Sequence, residues 1–152
     1  MSLTETKVLA TLMVEVLGGP PEHLTKALED LIKKMSEEKD VKVKSHVINK
    51  PKNLEENKAL YTTFAEVDVE VDSLKEMMVL VFKYMPSHVE IVSPENIKVE
   101  NNLLNELFNE LTRRLHAYDE VARVIQNEKA ILEKKLKETI NKDNKNDESR
   151  TV

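Results

Sequence analysis

The chain has 152 residues, of which 34% are charged, with a formal net charge of -5 and no cysteine or tryptophan. That length can bury the core of one domain and leaves room for an appended element. A nucleic-acid partner is not expected, because phosphate binding needs a positive footprint, and the missing cysteines exclude disulfides, thiol catalysis and thiolate metal sites. No run of about 18 apolar residues is present and the N-terminus lacks a basic-then-apolar leader, so a cytoplasmic protein without a membrane partner is expected.

Val8–Leu17 (VLATLMVEVL) is rich in aliphatic and β-branched residues, the pattern of a central strand with one covered face, and Gly18-Gly19-Pro20-Pro21 stops it. From Glu22 onward, Leu24, Ala27, Leu28, Leu31, Ile32 and Met35 fall at three- and four-residue steps, predicting an amphipathic helix with proline in its first turn. Val41–Ile48 alternates with period two, Asn49–Lys58 is polar and reads as a loop, and Leu60–Asp72 alternates again, so two antiparallel strands are expected. Ser73 and Glu76 have the spacing of a capping box, and they open a second helix whose apolar stripe is Leu74, Met77, Met78, Val81, Phe82 and Met85, ended by Pro86. Val89–Val92 is a short strand followed by the turn Ser93-Pro94-Glu95-Asn96, and Ile97–Val99 is either a strand extension or the approach to the next helix. The order strand, helix, strand, strand, helix, strand over residues 7–99 predicts an α+β, ferredoxin-like βαββαβ antiparallel sheet with both helices on one face.

Residues 101–140 contain neither glycine nor proline and predict a single long C-terminal helix. Phe108, Leu111, Leu115, Tyr118, Ala122, Ile125, Leu132 and Leu136 follow alternating three- and four-residue steps, the spacing of a helical seam, interrupted at Lys129. Leu103, Ala117, Val121, Val124 and Ile131 widen that stripe beyond a two-position seam. A soluble monomer rarely exposes such a stripe, so these eight seam residues are expected to be an interface for self-association, as a homodimer or higher oligomer. The first turns could instead fold back onto the outer sheet face, where Met13, Leu17, Ile48 and Phe64 are expected to lie. Residues 141–152 (NKDNKNDESRTV) read as a polar, disordered tail.

Three features bear on chemistry: an acidic strand, four histidines and the Gly18-Gly19-Pro20-Pro21 turn. Phe64–Asp72 (FAEVDVEVD) places Glu66, Asp68, Glu70 and Asp72 on one side of a strand. Alternate strand residues are spread by about 7 Å, so these carboxylates diverge rather than converge on a cation, and Lys42 and Lys44 are expected beside them across the hairpin. A solvated, lysine-paired face is therefore preferred to a metal site. His23, His46, His88 and His116 share no ligand spacing, and no nucleophile elbow, phosphate loop or dinucleotide fingerprint occurs, so neither a metal nor a cofactor is expected.

The Gly18-Gly19-Pro20-Pro21 turn leads into a helix N-terminus whose free N–H groups can receive an anion. Gly18, Gly19 and Glu22 are the candidate ligand-binding residues. The segment Val14–Leu28 (VEVLGGPPEHLTKAL) resembles the first strand, turn and helix of ACT-type regulatory domains, and the order of elements over residues 7–99 is similar to theirs. The resemblance implies a ferredoxin-like fold and a small anionic or amino-acid ligand near that turn. The resulting expectation is a non-catalytic oligomeric module, responsive to a small ligand. The alternative is a small enzyme with an acidic or metal-assisted site in an intersubunit cleft.

Overall fold

A computed structural model of the chain describes residues 6–54 and 57–148. They form β1 (Val8–Gly18), α1 (Pro21–Ser36), β2 (Val41–Ile48), β3 (Lys52–Leu54), β4 (Asn57–Val71), α2 (Leu74–Tyr84), β5 (His88–Ser93) and α3 (Asn101–Glu148). The chain divides into two units at Glu100/Asn101, a sheet unit and the long helix.

In the sheet unit the strands run in the order β2-β4-β1-β5, all neighbours antiparallel, with β3 hydrogen-bonded to the outer half of β4. β1 and β4 are central, and their alternation decides what each face carries. Val8, Ala10, Leu12 and Val14 of β1 and Ala65, Val67, Val69 and Val71 of β4 are buried, and Leu28, Ile32 and Met35 of α1 and Met77 and Leu80 of α2 join them in one cluster. Both helices therefore cover one face of the sheet. At ~1.5–3 kcal/mol for each fully buried Leu, Ile or Met, this cluster is what offsets the entropy of ordering the unit.

Several local features depart from the sequence-based expectations. β2 carries an irregularity between Val43 and Ser45: Val43 stands opposite Val69, but Ser45 stands opposite Asp68. One extra residue in a strand inverts the facing of everything after it. Ile48 therefore packs against the core, not on the outer face beside Met13, Leu17 and Phe64, and Val47 takes the outer position at 61% exposure. In α2 the buried line is Met77 and Leu80, with Leu74, Val81 and Tyr84 packed against it. The stripe expected through Met78, Phe82 and Met85 is rotated toward Leu80, and Met85 lies beyond the helix as a left-handed C-cap, 59% exposed, its N–H bonded to the Val81 carbonyl.

The polar segment after β2 is not all loop. β3 pairs Lys52 with Thr62 and Asn53 with Tyr61, and Asn49 is tied to β4 by its N–H to the Phe64 carbonyl at 3.0 Å and by the Thr63 Oγ1 hydroxyl donating to the Asn49 carbonyl at 2.5 Å. Ser73 caps α2 as expected from its spacing, its Oγ accepting from the Lys75 N–H at 3.2 Å and donating to the Glu76 carboxylate. Ile97 packs against the core from a segment without strand pairing.

α3 spans 48 residues, about 72 Å at 1.5 Å per residue. It continues through Asn141–Glu148, where a disordered tail was expected; those residues include no glycine or proline to stop a helix. The rest of that segment, 149–152, lies outside the described residues.

Candidate interaction surface

α3 separates its polar and apolar residues along its length. On the polar side the charges are stitched to one another: Glu110 binds Arg113, and Arg114 Nε donates to Glu110 at 2.7 Å. Arg123 and Asp119 are 2.8 Å apart, and Lys129, which interrupts the apolar row, is 3.9 Å from Glu133. Such i,i+3 and i,i+4 pairs each support a helix by ~0.2–0.5 kcal/mol. The apolar side is left open. Phe108, Leu115 and Ile125 are each 58% exposed, Leu132 is 64% and Leu136 61%, with Leu111 and Tyr118 at 41% and 48%. Ala122 is exposed in the same row. Val121, Val124 and Ile131, the residues that widen the stripe, are all more than half exposed. The structure thus brings all eight sequence-identified seam residues onto one exposed face of one helix.

The acidic comb of β4 has a different character. Asp68 accepts hydrogen bonds from Ser45 Oγ at 2.6 Å and Thr11 Oγ1 at 2.7 Å, and these two bonds hold its carboxyl below the usual carboxylate range. Glu70 receives Lys7 Nζ at 3.3 Å and has Lys44 at 3.9 Å; the Lys7 bond first and the Lys44 charge second lower its pKa as well. Lys42 stands opposite Glu70 in the ladder and Lys7 also reaches Asp72 at 3.9 Å, while Glu66 is exposed. The hairpin alternation predicts Lys42 and Lys44 on this face but not Lys7, Thr11 or Ser45. Thr11 could have been found from the alternation of β1, whereas Ser45 reaches this face only because of the β2 irregularity. Among the described residues, no group of three or more acidic or histidine side chains is arranged to hold a metal ion.

At the Gly18-Gly19 turn, Gly18 closes β1 opposite Tyr61, and Glu22 is exposed in the first turn of α1. The three candidate ligand residues are close because the chain is continuous there. Gly19 has a packing requirement of its own: a Cβ at this position would lie 2.7 Å from the backbone oxygen of Ala59, so only glycine lets the turn approach β4. The N–H of His23 is already used by the Pro20 carbonyl at 3.1 Å.

A cleft that sequence reasoning did not find, of about 240 Å³, lies between the end of α1, the start of β2 and α2. Glu38 is its organising group, accepting from Tyr84 Oη at 2.6 Å and from Lys83 Nζ. Those donors, Lys83 first, lower the Glu38 pKa, and burial followed by the Glu38 bond raises that of Tyr84. The Lys83 ammonium is also 5.7 Å from the centroid of the Tyr84 ring. Glu38 and its donors are some 45 positions apart in sequence, and no local periodicity connects them. The cluster brings two donors onto one oxygen of a charged carboxylate, which suits a clasp between α2 and the segment that follows α1.

The described residues define an α+β protein with an antiparallel sheet and three helices, the last of them a long C-terminal helix presenting an open apolar face. The chain belongs to the MJ0538 family, whose model matches residues 9–144. That match runs from β1 into α3, so the long helix is part of the family pattern. No curated protein and no solved structure matches the chain. Among the described residues, no helix is long and apolar enough to cross a membrane.

Proposed function

We propose that the protein is a cytoplasmic, non-catalytic module that works as a homo-oligomer, with α3 as the surface on which copies meet. The observation that carries this reading is the seam from Phe108 to Leu136, whose large apolar side chains stand 41–64% exposed along one face of the helix. Burying each Leu, Ile or Phe of the seam contributes ~1.5–3 kcal/mol, and a symmetric interface collects every such contribution twice. The acidic comb has Asp68 and Glu70 engaged with hydroxyls and lysines, in keeping with a solvated, lysine-paired face.

The ferredoxin-like assignment of the sheet unit is part of this reading, supported by the strand order β2-β4-β1-β5 and by both helices packing on one face. So is responsiveness to a small anionic or amino-acid ligand at Gly18, Gly19 and Glu22. Light scattering at tens of micromolar tests the core of the proposal: a dimer or larger species is expected, and a monomer overturns it. Thermal-shift measurements with amino acids, nucleotides and divalent ions test the ligand arm. The informative variant there is Glu22→Gln, because replacing Gly19 would disturb packing against Ala59 whether or not a ligand binds. Stabilisation by an amino acid that disappears in Glu22→Gln supports the arm; no shift with any ligand removes it.

A further inference from the structure

We propose that two copies of α3 pair in antiparallel orientation about an axis level with Glu120; this rests on the self-association proposed above and adds its geometry. A parallel pair sets each seam residue against itself, whereas an antiparallel pair about Glu120 sets Phe108 against Leu132, Leu115 against Ile125 and Tyr118 against Ala122 of the second copy. Size decides first. In a parallel pair Tyr118 meets Tyr118 in one layer and Ala122 meets Ala122 in the next, crowding one and leaving a void in the other. The antiparallel register puts the large ring over the small side chain, twice, which is how close-packed layers fill space.

Charge points the same way. Lys129 interrupts the seam, and a parallel pair would stack the two Lys129 ammonium groups in one layer. In the antiparallel register its aliphatic stem crosses Leu111 of the second copy and its ammonium stays with Glu133, 3.9 Å away on its own helix. The residues flanking the seam agree. The parallel pair gains Arg114 beside Asp119 but places Glu128 beside Glu133, so the two effects cancel. The antiparallel pair places Arg114 beside Glu128 of the second copy at two symmetric positions. Its one like-charge approach is Asp119 to itself at the axis, and Arg123 neutralises each of those carboxylates at 2.8 Å. Val121 meets Val121 across the axis, which accounts for part of the widened stripe. Sliding the pair one heptad either way brings Arg114 beside Lys135 or sets Lys129 against Leu104, and shortens the matched seam.

The chain has no cysteine, so introduced thiols report unambiguously. In the antiparallel pair, position 108 of one chain adjoins position 132 of the other, and two residues at position 132 are about 36 Å apart along the axis. Mixing full-length Phe108→Cys with full-length Leu132→Cys and treating with a short bis-maleimide should give a mixed cross-linked dimer, with little product from either variant alone. A nitroxide at the exposed surface position in Lys137→Cys leaves the seam untouched, and the pair should show a separation of about 50 Å, against less than about 25 Å for a parallel pair. Efficient cross-linking of Leu132→Cys by itself, or the short nitroxide distance, overturns the antiparallel geometry and leaves self-association standing. A protein that stays monomeric in light scattering overturns both.

Discussion

The sheet unit and α3 are built from the same aliphatic side chains with opposite results. In the sheet unit, Val8, Leu12, Leu28, Met35 and Val69 are wholly buried, whereas in α3 Leu115, Ile125 and Leu132 keep more than half their surface open. The difference lies in what each periodic pattern has to face within one chain. A strand with period two and a helix with period 3.6 find each other inside the sheet unit and close a core. A seam with period 3.5 over about 42 Å of one helix suits another long helix. In the proposed reading α3 meets a second copy of itself, and that contrast makes the two regions separately breakable.

The largest expected effect lies on the helix. Leu115→Asp with Ile125→Asp puts four carboxylates into a two-chain seam and removes four apolar contributions of ~1.5–3 kcal/mol each. Light scattering should then find monomer, while circular dichroism still reports the sheet; loss of the sheet signal would mean the two regions are not separable. Next is the converse change. Leu28→Ala in the wholly buried cluster should cost ~2–5 kcal/mol, read as a lower urea midpoint, with native-state oligomerisation intact. A destabilisation under 1 kcal/mol would show that this core is not what holds the sheet unit.

Gly19→Ala is expected to be milder, at ~1–3 kcal/mol, because the new methyl meets the Ala59 backbone oxygen and the turn must shift. Unchanged stability in this variant would remove the packing role assigned to Gly19. The smallest effect is that of pH on the outer face. The Asp68 carboxyl has a folded-state pKa below its ordinary value near ~3.9, so its stabilisation is complete above that value and is lost as pH falls through the folded one. Solvent screening keeps the effect small. Urea midpoints measured from pH 5 downward should decline less steeply in Asp68→Asn than in the unaltered protein. Identical slopes would show that the Ser45 and Thr11 hydrogen bonds do not matter to folding.

Whatever depends on local repetition is legible in the order of residues. The α+β class, the positions of β1, α1, α2 and β4, the capping role of Ser73 and the seam of α3 follow from periods of 2, 3.6 and 3.5 and from where glycine, proline and serine punctuate them. Tertiary structure decided what depends on distant segments meeting. One irregularity between Val43 and Ser45 moved Ile48 inward and carried Ser45 to Asp68, a parity change that no count along β2 reveals because it exists only against β4. Leu80 displaced Phe82 and Met85 from the buried side of α2 because the sheet, not the helix, chose which side to cover. The Glu38, Lys83 and Tyr84 cluster and the approach of Gly19 to Ala59 arose in the same way. Each joins residues some 40 positions apart, and a periodic signal extends only as far as the element that carries it.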